Sequence, residues 1–87
     1  MRLDKLDQEI RDLAATLVNG IDTRQTHPTY GVTRRRLLDD AARLEGALIA
    51  RAALLEQPLG NRVTAARAQG IHLGIDISRL QALAESA

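Results

Sequence analysis

The chain has 87 residues, enough for one small domain spanning residues 1–87. Twelve Lys and Arg face 11 Asp and Glu, a net charge of +1 that excludes a polyanion-coating protein or an acidic tail. Apolar residues at 45% mark a globular chain, and the absence of Cys excludes disulfides and thiolate metal sites.

No apolar run approaches the roughly 20 residues that span a bilayer. Asp4 and Asp7, with no long apolar run behind them, do not read as a signal peptide. The expected compartment is cytoplasmic, with no membrane association. Tyr30 is the one aromatic residue, while Leu and Ala supply 14 residues each and Ile and Val only nine together. Leu and Ala favour helices, and aromatic or β-branched residues favour sheets, so the composition predicts an all-α fold. A domain this short without aromatic anchors has a thin core, which points to self-association or a partner.

Leu3, Leu6, Ile10, Leu13 and Leu17 recur at alternating spacings of three and four, an a/d heptad seam. Ala14, Val18 and Ile21 widen it. Asn19-Gly20 reads as a C-cap, so the first helix is expected over about 2–19. Residues 20–32 are expected to be a loop, punctuated by Asp22, His27-Pro28 and Tyr30-Gly31. Its length is unusual for a helix–helix connection, which leaves a functional loop and a mobile span both open.

Thr33 is a fair N-cap for a second helix over about 33–57, stopped by Pro58. Leu37, Ala41, Leu44, Leu48, Ala52 and Leu55 form its main stripe, broadened by Leu38, Ala42, Ile49 and Ala53. One neighbouring helix cannot cover so wide a face. At 1.5 Å per residue this helix would be about 36 Å long against about 27 Å for the first, and it would overhang. Asn61 can cap a short helix through Gln69 that Gly70 ends, and Ser78 with Gln81 reads as a capping box for a last helix. The expected architecture is a small helical bundle built on a long helical hairpin, helices about 2–19 and 33–57, with one or two short C-terminal helices. The hairpin is expected to be antiparallel.

Arg34-Arg35-Arg36 places three cations at the wrong end of a helix dipole. A functional reason is an anion or an acidic partner surface. A local reason is pairing of Arg35 with Asp39 and of Arg36 with Asp40, both at i,i+4. Arg24 adds to the charge, giving residues 20–36 a net +3, while residues 37–58 carry a net −2.

Ala66, Gly70 and Ile71 fit the small-residue and turn-glycine spacing of a helix-turn-helix, except that Asp76 falls where the following helix should bury an apolar residue. His27 and His72 stand 45 residues apart with no patterned co-ligands, and no phosphate loop or nucleophile elbow is present.

The opening seam looks like the first helix of the helical chorismate mutases, over the first 17 residues. That family places an Arg where this chain has Asp7, and acids where it has Arg11 and Ala14; Lys5 is the only lysine. The resemblance therefore implies the shape of that helix and not the activity. The order of heptad helix, glycine, polar basic connection and Leu-rich helix with Leu44-Glu45 is similar to small phage head–tail joining proteins. Those connect through a β-hairpin, whereas residues 21–32 are poor in strand formers.

The sequence thus predicts a non-enzymatic protein–protein interaction module, an adaptor or assembly subunit without metal or cofactor. Its partner is another protein or a second copy. Arg34, Arg35, Arg36, Leu38, Ile49 and Tyr30 are the candidate partner-binding residues. The alternative is a small nucleic-acid-binding protein using Arg24 and Arg34–Arg36.

Overall fold

The computed structural model describes residues 2–29 and 31–87; Met1 and Tyr30 lie outside the described residues. Four helices form, α1 Leu3–Thr26, α2 Arg34–Leu54, α3 Arg62–Leu73 and α4 Ile77–Ser86, with no strand among the described residues. The all-α class and the long helical hairpin with shorter C-terminal helices are therefore observed.

Helix α1 does not stop at Asn19-Gly20. It runs on to Thr26, and the loop shrinks from the expected 20–32 to 27–33. The reason is tertiary. Ile21 continues the seam one turn past Leu17 and is buried, as Leu6, Ile10 and Leu17 are. Gly20 is a packing residue: a Cβ there would lie 2.8 Å from Leu37 Cδ2 on α2. Close approach of the two helices outweighs the roughly 0.5–1 kcal/mol that an interior glycine costs. The helix ends at Thr26 because His27 precedes Pro28 and is pushed to φ −136°, ψ 69°.

Helix α2 begins at its expected cap, with Thr33 Oγ1 accepting from the Arg36 N–H at 3.0 Å. It ends three residues earlier than expected. Glu56 takes φ 56°, its N–H donates to the Ala53 carbonyl, and the Gln57 N–H donates to the Ala52 carbonyl. That is a Schellman closure with a non-glycine in the left-handed position. The expected overhang is reversed, since α1 has 24 residues and α2 has 21.

The hairpin is antiparallel. Asp7 near the start of α1 meets Arg51 near the end of α2, and Gly20 late in α1 faces Leu37 early in α2. Leu37, Ala41, Leu44, Leu48 and Ala52 are buried along α2, while Leu55, the last member of the expected stripe, is exposed. The width of that face is met within the chain, because α1, α3 and α4 all pack on α2. Helix α3 lies along the C-terminal half, with Gln69 on Arg51 and Gly70 beside Leu48. Helix α4 lies along the N-terminal half, where Gln81 Nε2 donates to Glu45 Oε2 at 2.9 Å. The two short helices follow one another as an interrupted third rod, and the molecule measures 43 × 24 × 19 Å.

Helix α3 starts at Asn61, whose Oδ1 accepts from the Val63 and Thr64 N–H groups. It passes through Gly70, the expected stop, and ends at Leu73. Gly74, at φ 70°, is the true turn glycine: its N–H donates to the Ile71 carbonyl and the Ile75 N–H to the Gly70 carbonyl. Asp76, not Ser78, caps α4, its Oδ1 accepting from the Arg79 N–H at 3.1 Å. Starting the helix at Ile77 turns that side chain fully into the core.

Candidate functional site

Three places carry the chemistry of this chain: the basic turn at the start of α2, a buried polar centre at the opposite end of the hairpin, and the elbow between α3 and α4.

At the basic turn Arg34, Arg35 and Arg36 are all exposed. Of the two expected i,i+4 pairs only one forms, Arg36 Nε to Asp40 Oδ2 at 3.5 Å, and Arg35 makes no ion pair with Asp39. The difference follows burial. The Asp40 side chain is 8% exposed and needs a nearby cation, whereas Asp39 is hydrated. Arg24 is not part of an outward cluster. Its Nη1 donates to the Val32 carbonyl at 3.0 Å and ties α1 to the start of α2, while its buried Nε has no partner among the described residues. The expected Tyr30 contribution lies outside the described residues.

Leu38 and Ile49 share one side of α2 but differ in setting. Leu38 borders a shallow groove of about 210 Å³ with Ala42, Glu45, Gln81 and Glu85. Ile49 is half-buried and packs against the core. The structure therefore brings Arg34–Arg36 together as one exposed turn, with Leu38 one turn further along α2 and Ile49 three turns beyond Leu38.

The buried polar centre has no counterpart among the residues expected from the sequence. Arg51 Nε donates to Asp7 Oδ1 at 2.7 Å, Nη2 to Asp7 Oδ2 at 3.5 Å, and Nη1 to Gln69 Oε1 at 2.5 Å. One guanidinium fork thus joins α1, α2 and α3, with the Arg51 and Asp7 side chains 11% and 16% exposed. A readable signal existed. Arg51 sits beside Ala52 on the same stripe as Leu44 and Leu48, and a cation on a buried face requires a carboxylate within reach. Nothing local names the carboxylate, because Asp7 is 44 residues away.

The elbow has the residue spacing of a helix–turn–helix, in a register four residues later than the sequence suggested. The turn is Gly74-Ile75-Asp76. The small residue four positions before the turn glycine is Gly70, where a Cβ would lie 2.5 Å from the Ile75 carbonyl oxygen. The apolar residue six positions after it is Leu80, packed against the core. Shifting the register removes the conflict at Asp76. The outward side of α4 presents Asp76, Arg79, Ala82 and Glu85, two acids and one base. A helix lying against phosphates needs the opposite balance.

Two concavities flank this turn and share Gly74, Ile75 and Asp76. One of about 390 Å³ is bordered by Arg67, Ile71 and Ser78; the other, of about 310 Å³, by Ala14, Val18, Arg79 and Leu80. Arg67 Nε donates to Ser78 Oγ across the elbow and braces it. Among the described residues, no group of three or more His, Cys, Asp or Glu is placed to hold a metal ion. Among the described residues, no helix is long and apolar enough to cross a membrane. The chain matches no family model, no curated protein and no solved structure.

Proposed function

We propose that this chain is a non-enzymatic protein–protein interaction module, an adaptor or assembly subunit. The observation that supports it is the apolar surface left over after folding. Val18, Leu38, Leu54, Leu55, Leu59, Val63 and Ile71 are exposed, while Ile10, Leu17, Leu37, Leu44 and Leu48 are the large side chains fully buried. Scattered surface leucines need no explanation, but runs such as Leu54–Val63 and the Val18/Ile71 pair beside concavities mark contact sites. A small core with several large apolar side chains left at the surface gains stability from being covered.

The test is sedimentation of the purified chain over a wide concentration range, with binding of a hydrophobic dye measured in parallel. Dye binding, or reversible mass increase, is expected. A folded monomer at high concentration that binds no dye overturns the reading.

The second reading is a nucleic-acid-binding protein acting through Arg34–Arg36, favoured by one observation: three arginines exposed in a single turn. It loses Arg24, which is engaged with the Val32 carbonyl. Duplex binding that weakens steeply with salt would establish it, since each phosphate contact releases counterions.

A further inference from the structure

We infer that the paired concavities around the Gly74–Asp76 turn form a docking groove for an amphipathic helix of another protein, one whose apolar stripe is flanked by carboxylates. This rests on the reading of the chain as an interaction module and names the site and the chemistry of the partner. The floor of the groove is apolar. Ile71, at 78% the most exposed of the large hydrophobic side chains among the described residues, rises on one side of the turn and Val18, at 48%, on the other. Ile75 lies between them, lining both halves. An apolar floor in two adjoining halves fits the i, i+3, i+4, i+7 anchors of one helix laid into a groove.

The rim decides the partner's charge. Arg67 borders one half and Arg79 the other. Arg11 is exposed one turn before Ala14, on the same side of α1 as Ala14 and Val18. Two acids belong to this face. The Asp76 carboxylate already accepts from the Arg79 N–H as the cap of α4, and Asp22 stands one turn beyond Val18 at the far end. Two guanidinium groups bordering the floor, with a third on the adjoining face of α1, therefore favour carboxylates on the occupant. The same rim disfavours a second copy docked by two-fold symmetry, because two net-positive rims would be brought together. It accounts for the turn as well: the constraint at Gly70 and Gly74 holds α3 and α4 open at a fixed elbow, so the groove is preformed.

The experiment uses the full chain with labelled Ile and Val methyl groups and two synthetic amphipathic helices. The helices share one leucine stripe, flanked by Glu in the first and by Lys in the second. Expected are shifts centred on Val18, Ile71 and Ile75 with the Glu peptide, and binding about tenfold weaker with the Lys peptide. Ile71→Asp should abolish the shifts at Val18 and Ile75; the position is exposed, and unchanged circular dichroism would show that the variant folds. The double variant Arg67→Glu, Arg79→Glu should reverse the preference between the peptides.

Equal binding of both peptides, or shifts confined to the Leu54–Val63 region, overturns the groove. So does movement of the same methyls with protein concentration alone, which would make a second copy the occupant, or with a DNA duplex in place of the peptide. If dye binding is strong in the wild type and unchanged in Ile71→Asp, the groove fails while the interaction-module reading stands. If the wild type binds no dye and stays monomeric, that reading fails as well.

Discussion

The two arginine groups of this chain lie at opposite ends of one helical hairpin and are treated in opposite ways. Arg34–Arg36 stand in water at the start of α2, with one loose pairing of Arg36 to a buried aspartate. Arg51, near the end of the same helix, is taken out of water and joined to Asp7 and Gln69 on two other helices. The exposed group is conspicuous in the sequence and contributes little to the fold. The buried residue is inconspicuous and joins three helices. Charge density along a sequence reports on where solvent is; a single cation inside an apolar stripe reports on where the core closes.

Arg51→Ala separates the two cases most sharply. It leaves Asp7 and Gln69 without their donor, and breaking a buried pair costs about 3–5 kcal/mol; the residual exposure of Asp7 places this one near the lower figure. A urea melt showing a loss under about 1 kcal/mol would mean that Arg51 is hydrated after all. Replacing the whole centre, Asp7→Leu with Arg51→Met and Gln69→Leu, should recover the loss and leave stability within about 2 kcal/mol of the original. The same triple variant is expected to lose fixed register, seen as broadened amide signals at the α2/α3 contact. Sharp signals would show that packing alone sets the register.

At the other end, Arg34→Gln with Arg35→Gln should not lower the melting temperature, because neither side chain has an ion pair among the described residues and both oppose the helix dipole. A clear drop would show these arginines to be structural and would erase the contrast. A small gain is expected at the closure of α2. Glu56→Gly removes the left-handed strain of a side chain at φ 56° and should stabilise by about 0.5–1 kcal/mol in the same melt. The equivalent position of α3 already carries glycine, Gly74.

Helices α1 and α2 were legible because their apolar residues repeat at helical spacing. Their ends were not equally so. Thr33 and Asn61 cap as read, since a short polar side chain reaching back to its own N–H groups is a local event. Asn19-Gly20 has the local form of a cap and fails, because Leu37 approaches Gly20 from another helix. Gly70 fails in the same way, its stop overruled by the Ile75 carbonyl that needs the space above it. Ser78 and Asp76 are both adequate caps, and burial of Ile77 chooses between them.

The sequence by itself determined the helical class, the antiparallel hairpin and the basic turn. All of these follow from composition and from spacings of three and four, which act within a few residues. Tertiary structure alone decided that α1 and α3 run on past Gly20 and Gly70, which glycine turns the elbow, and that Arg51 meets Asp7 and Gln69. Those outcomes depend on contacts between residues up to 44 positions apart. Their free energy comes from close packing and from desolvating a charge, neither of which leaves a periodic trace along the chain.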